Sequence, residues 1–303
     1  MSEPSSEPEQ RSPTAALVTP SYRPDLARCE TLVESVERFG PGLHHYLVVD
    51  RRDRRHFQHL ESPDTSILTS EELLGGRLRR LPSDRSIWVS PTHRPVRGWI
   101  VQQVLKLSMP EHLNEDVLVF CDSDTAFIRP FGIDDFLISG KPGLLDVDYQ
   151  SPDVHRWTDT ACALFGLDVA DVPVRNHVGN MICWRRDIAL AMLELIRERG
   201  NRKWQTTLLK QSSISEYMLY GVFVRSVIGY EAAGHVPSTI PLVKPSWEHD
   251  IKSSAGLDEF FSEFEPETIA VMLHSKDNVP VTEYRHHLER IWASTDPDGP
   301  ITT

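Results

Sequence analysis

Two short apolar runs, residues 15–19 and 46–49, flank a stretch in which Leu26, Cys29, Leu32, Val33 and Val36 recur at helical spacing. Strands joined through a helix pair in parallel, because a tight turn cannot bring the chain back to the same end of the sheet. A parallel sheet in turn needs cover on both faces. This opening unit therefore predicts an α/β fold: a Rossmann-like, mostly parallel sheet flanked by helices. Asp25 is placed to cap the helix and Gly40-Pro41-Gly42 to stop it. A third short strand is expected over 66–69. A helix is expected over 99–107, with Ile100, Val104 and Leu107 as its apolar stripe and Gln103 and Lys106 sharing another face. Further along, 177–184 reads as a strand and 187–199 as an amphipathic helix closed by Gly200. Ser213 or Ser215 can cap a helix beginning near Glu216, and 269–273 reads as a last buried strand ending in His274.

The 303 residues, 40% of them hydrophobic, are enough for one large α/β domain. We expect it to occupy 15–292, with tails at 1–14 and 293–303. The first 14 residues are rich in Ser, Glu and Pro and cannot bury enough surface to offset their ordering entropy, so a disordered tail is expected. A net charge of −12 argues against nucleic acid or an anionic membrane as principal partner. No run is long enough for an integral membrane segment, and the N-terminus lacks a signal-peptide apolar region. Cys29, Cys121, Cys162 and Cys183 are scattered without a C-x-x-C pair, a pattern of reduced thiols that points to a cytoplasmic protein without a zinc or disulfide framework.

The chemistry concentrates at Asp122-Ser123-Asp124, which ends the apolar run Val117-Leu118-Val119-Phe120. Two acids spaced by two at a strand end present both carboxylates to one face. Open α/β sheets bind ligands just beyond the carboxyl ends of their strands. Hard oxygen ligands there suit Mn²⁺ or Mg²⁺ carrying a phosphorylated substrate. The plainer reading of a bare D-x-D is a solvated turn. Between 75 and 97 the chain is irregular and basic, with Arg77, Arg79, Arg80, Arg85, Arg94 and Arg97.

Taken in order, several segments resemble the GT-A fold of nucleotide-sugar glycosyltransferases. They are Leu17-Val18-Thr19-Pro20-Ser21-Tyr22 at the first strand, Asp50 after the second, and Val119-Phe120-Cys121-Asp122-Ser123-Asp124. Val178-Gly179-Asn180-Met181, Glu216-Tyr217-Met218-Leu219-Tyr220-Gly221 and His274-Ser275-Lys276 complete the set. A Gly-Trp-x-x-Gln-Gln-x-x-Lys helix (98–106) and a Ser-Glu-Tyr-x-x-Tyr-Gly segment (215–221) are similar to those of a bacterial family of GT-A-like proteins. The resemblance spans roughly 15–290, and it is the order of the motifs that carries it.

The resemblance implies a metal-dependent transfer of a sugar from a nucleotide-diphosphate sugar donor to a carbohydrate or small-molecule acceptor. Asp124 would contact the metal directly. Asp122 would bind it through water or hold the donor ribose, and His274 would be the third ligand; a hydrogen-bonded surface histidine is the competing reading. Thr19, Pro20, Ser21 and Tyr22 would contact the nucleoside, with Ser123 on the same donor side and Asp50 near the base or ribose. Lys276, Lys106 and Arg97 are candidates to neutralise the pyrophosphate, with Gln103 beside Lys106 on a polar wall. Glu216 stands where inverting enzymes carry the base that takes the acceptor proton. Tyr217 replaces the acid that often follows that base, and a helix N-terminus also favours a carboxylate for its own sake, so base and cap both stand. Asn180 and Tyr217 are candidates for the sugar or acceptor pocket, and Trp247 or Trp157 for stacking on a sugar ring.

Two rivals come from other classes. A haloacid-dehalogenase-type phosphatase also starts from a strand ending in D-x-D, but near the beginning of its domain, whereas here a strand–helix–strand unit comes first. A non-catalytic nucleotide-sugar-binding relict of the GT-A shape would retain binding without turnover.

Overall fold

The computed structural model describes residues 13–75, 78–81, 87–90 and 93–295, with backbone only for Ser90, His93 and Arg94. Arg77 and Arg85 of the basic stretch, the side chain of Arg94, and most of both expected tails lie outside the described residues.

Five strands form the central sheet: β1 (Ala15–Pro20), β2 (His44–Val49), β3 (Thr65–Thr69), β4 (Val117–Phe120) and β5 (Ile182–Arg185). Their spatial order is β5-β4-β1-β2-β3. The last four of that order run parallel, and β5 is antiparallel to β4. The apolar runs are continuous because both faces of the sheet are covered. Alternate side chains serve opposite cores: Ala16, Val18, Leu118 and Phe120 enter one, Leu17, Val117 and Val119 the other. Helix α1 (Leu26–Phe39) lies on the second side and α2 (Gly98–His112) on the first.

The chain builds outward from β1 to β2 and β3, then returns through α2 to place β4 on the other flank of β1. Strand order thus reverses at β1. The loops leaving β1 and β4 diverge there and open a crevice, the place where open α/β sheets bind ligands.

After β4 the chain turns through Asp122–Thr125, whose closing bond runs from Thr125 N to Asp122 O (3.2 Å). The short strand Thr125–Phe127 then pairs antiparallel with Ala270–Met272, which pairs in parallel with Val243–Pro245. Trp292, on the C-terminal helix Val281–Thr295, donates its indole N–H to Phe127 O at 2.8 Å and fixes this add-on sheet from behind. A separate three-stranded sheet is made from Leu137–Ile138, Lys141–Leu145 and Val236–Ser238.

Three expectations shift. The strand expected over 177–184 begins only at Ile182, because Met181 takes φ of 58° and a left-handed residue cannot continue an extended run. Helix α3 (Arg186–Gly200) includes Gly200 and is closed by Asn201 in the left-handed conformation. A 3₁₀ turn, Arg23–Asp25 with Pro24 inside it, leads into α1, and the Asp25 side chain makes no capping bond. Ser215, by contrast, does cap α4 (Glu216–Val222), its Oγ accepting from Met218 N at 3.3 Å.

Candidate active site

A cleft of about 660 Å³ lies over the carboxyl ends of β1, β2 and β4. Each strand supplies residues from its exit. Pro20, Ser21, Tyr22 and Asp25 follow β1; Asp50 follows β2; Asp122, Ser123 and Asp124 follow β4. The opposite wall comes from His274, Ser275 and Lys276, with Trp247 and Met272.

That late segment is delivered by the add-on sheet. Pairing of Met272 with Thr125 carries the chain past Asp124, so Leu273 N donates to Asp124 O at 3.0 Å and Ser275 N donates to Asp124 Oδ2 at 2.8 Å. Asp124 therefore has one oxygen fixed by the backbone. Its other oxygen, Oδ1, is buried and has no hydrogen-bond partner among the described residues. Burial, and then the neighbouring Asp122, push the Asp124 carboxyl up to about 6. Asp25 is also raised, first by burial and also by Asp122, with Arg28 opposing. The floor of the cleft thus gathers three carboxylates: Asp25 lies 3.5 Å from Arg28, Asp122 lies 3.4 Å from Lys106, and Asp124 has no ion pair among the described residues.

Asp122 is held differently. Its backbone N–H donates to Asn180 Oδ1 at 3.0 Å, and Asn180 Nδ2 donates to Thr125 Oγ1 at 2.6 Å, so one amide ties both ends of the acidic turn. Lys106 Nζ lies 3.4 Å from Asp122 Oδ1.

The residues present suit a hard cation in part. An orphaned, buried carboxylate oxygen beside a second acid is an unmet demand for positive charge. Among the described residues, however, no three or more His, Cys, Asp or Glu side chains converge into a cage. His274 remains on the cleft wall, its backbone N–H donated to Ser246 Oγ at 3.0 Å, and does not close a three-ligand set with Asp122 and Asp124. A site with two carboxylates leaves the remaining positions to water and substrate phosphates, the usual arrangement for Mg²⁺ in phosphate-bearing sites.

Several expected residues lie elsewhere. Lys106 is only 4% exposed. Its ammonium sits 3.1 Å from Glu216 Oε1 and donates to Tyr217 Oη at 2.8 Å, so most of its charge is directed into the protein rather than at a pyrophosphate. Burial works against that charge, but Asp122, Tyr217 and Glu216 together outweigh it and hold Lys106 well above the usual lysine range. Glu216 is 2% exposed, and Gln103 Oε1 accepts its backbone N–H at 3.2 Å. Glu216, for which base and cap both stood, is thus a buried counterion of Lys106, because α4 starts inside the core and not at its surface. Tyr217 belongs to the same core, against Phe120 and Trp184, and does not line the cleft. Gln103 faces inward with Lys106, leaving Gln102 on the cleft.

Thr19 is fully buried and bonded to His45 Nε2 at 2.9 Å, because strand alternation turns it inward. Arg97 is exposed at the start of α2 and does not line the cleft. Asn180 opens onto a second cavity, and Trp247, 61% exposed, lines both. Trp157 packs beside Trp99, with ring centroids 6.0 Å apart, and it is Trp99 that reaches the cleft.

Asp25, Arg80 and Trp99 are among the cleft residues that the sequence did not single out. Asp25 carried only a capping role there. Arg80 was one of six arginines with nothing to single it out; in the structure Nη1 lies 3.8 Å from Asp50 Oδ2, while Nε is buried without a hydrogen-bond partner among the described residues. Trp99 read only as a helix residue.

No curated protein matches the chain. Among solved structures, mouse xyloside xylosyltransferase 1 in its apo form aligns at 12% sequence identity with a TM-score of 0.44, covering 88% of this chain and 99% of that one. The family model for a family of unknown function, DUF6492, matches residues 15–293, and the chain belongs to that family.

Proposed function

We propose that the protein is a metal-dependent glycosyltransferase that takes its sugar from a nucleotide-diphosphate donor. The observation that carries this reading is Asp124 Oδ1, buried without a hydrogen-bond partner among the described residues, beside Asp122 at the point where strand order reverses. Asp124 and Asp122 would hold Mn²⁺ or Mg²⁺. When bound, the cation would offset the negative charge that builds on the departing diphosphate.

The chain's own residues do the rest. Arg80 and Lys276 face the cleft as cations for the pyrophosphate, and Arg80 Nε has no hydrogen-bond partner among the described residues. Ser21 and Tyr22, with Asp50 behind them, line the end of the cleft suited to the nucleoside. Lys106 is a positioning residue: buried and fixed by Glu216 and Tyr217, it holds the Asp122 carboxylate from beneath. Glu216 is assigned to that support and not to proton abstraction. Four free, buried thiols are in keeping with a reducing, cytoplasmic setting, and among the described residues no helix is long and apolar enough to cross a membrane.

The test is a thermal-shift panel of UDP, GDP, CDP and dTDP, each with and without Mn²⁺. A nucleotide at a hundred times its Kd adds about 2.7 kcal/mol of stability, a rise of roughly 5 °C for a domain of this size. One nucleotide raising Tm only with Mn²⁺ is the expected result. A panel in which none moves the melt sinks the reading.

A further inference from the structure

The second cavity, of about 430 Å³, shares Trp247 and Met272 with the cleft and extends away from it between the add-on sheet and the strand Lys141–Leu145. Phe136, Leu145, Val178, Ile182, Ile240 and Leu242 are among the apolar residues of its wall. The polar side chains on that wall are largely committed to the chain itself. Asn176 bonds both backbone groups of Val178, at 3.1 and 3.2 Å. Asn180 is spent on Asp122, Met181 and Thr125, and Ser238 Oγ accepts from Ile240 N. Asp135 accepts from Gly132 N, whereas Glu267 brings an exposed carboxylate to the same wall. A sugar needs free donors and acceptors around its hydroxyls, and these walls offer few. They offer apolar area, in the size range of small-molecule sites.

We propose that this cavity receives the alkyl tail of an amphipathic acceptor, whose hydroxyl-bearing head lies at the Trp247–Met272 border facing the acidic turn. The proposal rests on the transferase reading. Two features favour it over an idle void. The cavity is continuous with the cleft through an indole left largely exposed, a surface on which a sugar ring stacks by its C–H face. Asn180, on the cavity wall, is also the residue that fixes the backbone of Asp122, so tail and reacting centre meet on one side chain.

Methyl, butyl and octyl β-D-glucopyranosides, each below its micelle concentration, are titrated into the full chain by calorimetry. The same samples are melted with the nucleotide panel and Mn²⁺. Each buried methylene is worth roughly fourfold in affinity, so octyl should bind at least tenfold tighter than butyl and methyl weakest. Ile240 stands half-exposed at the rim, and Ile240→Asp should weaken octyl binding at least tenfold while leaving the nucleotide shift unchanged. Equal binding of all three glycosides, no binding, or octyl binding indifferent to Ile240→Asp overturns the proposal. If nucleotides shift the melt normally in that case, the transferase reading survives alone. Chain-length-dependent binding without any nucleotide shift overturns the acceptor assignment together with the transferase reading, and leaves only an amphiphile site.

Discussion

Two aspartates in this molecule, Asp146 and Asp124, have opposite surroundings. Asp146 is buried at the end of the strand Lys141–Leu145, where Arg175 Nε donates to Oδ1 at 2.6 Å, Tyr230 Oη donates to Oδ2 at 2.5 Å, and Arg225 also pairs with Oδ2. Its carboxyl is held below the usual range: burial raises it, but Tyr230 and Arg175 hydrogen bonds and the charges around it win. Asp124 has a single bond to one oxygen, none among the described residues to the other, and a carboxyl pushed up by burial and by Asp122. A carboxylate used for structure is saturated with partners. Asp124 is left short of them, as a carboxylate that serves the proposed cation would be.

Exchanging the chemistry of these two positions is the strongest test of that contrast. Asp124→Asn keeps an acceptor for Ser275 N but removes the charge. Turnover should fall at least a thousandfold, about 4 kcal/mol, while stability at pH 7 holds or rises by up to about 3 kcal/mol. Asp146→Ala should do the reverse. It should lose about 2–4 kcal/mol of stability by denaturant titration, the low side for a broken buried pair because Arg175 and Arg225 keep 25% and 28% of their side chains exposed. Equal destabilisation by both would erase the distinction.

Lys106 sharpens the comparison, since it touches Asp122 in the cleft and Glu216 in the core. Lys106→Met should cost about 3 kcal/mol by leaving Glu216 buried without its counterion. Adding Glu216→Gln should restore more than half of that loss, yet the double variant should stay slow because Asp122 has lost its support. Were Glu216 the base, Glu216→Gln alone would abolish turnover at unchanged metal affinity and remove the acidic limb of the pH profile.

The smallest effect is on pH. Asp124 binds a proton more tightly folded than unfolded, so its contribution works against stability as pH rises from about 4 to about 6. Asp146 has the opposite sign: its contribution is full above the ordinary aspartate range and is lost as pH falls through its depressed folded value. On the proposed metal role, protons would compete with a cation at Asp124, so Mn²⁺ affinity should fall about tenfold for each pH unit below about 6. A pH-independent Mn²⁺ affinity between 5 and 7 would place the metal elsewhere.

Much of the sheet could be read from sequence because its signal is local. β1, β2 and β3 were each expected within two residues of their observed bounds, and the acidic turn stands at the end of β4 as expected. Period and burial decide a strand, and both are properties of neighbouring residues. Ser215 as a cap is of the same kind. The boundary at Ile182 was not, since the left-handed turn at Met181 is fixed by what Asn180 must reach across the sheet.

By itself, then, the sequence determined that a parallel sheet would form and that two acids would crown one of its strands. Tertiary structure alone decided what those acids meet. The bond from Ser275 to Asp124 spans 151 residues, and the Lys106–Tyr217 bond spans 111. It buried Glu216 against a lysine, left Asp124 Oδ1 without a hydrogen-bond partner among the described residues while saturating Asp146, and set a largely apolar cavity against the cleft at Trp247. A residue's own pattern reports whether it will be buried, but its partners depend on which distant strands pair, and so on the free energy of the whole packed arrangement.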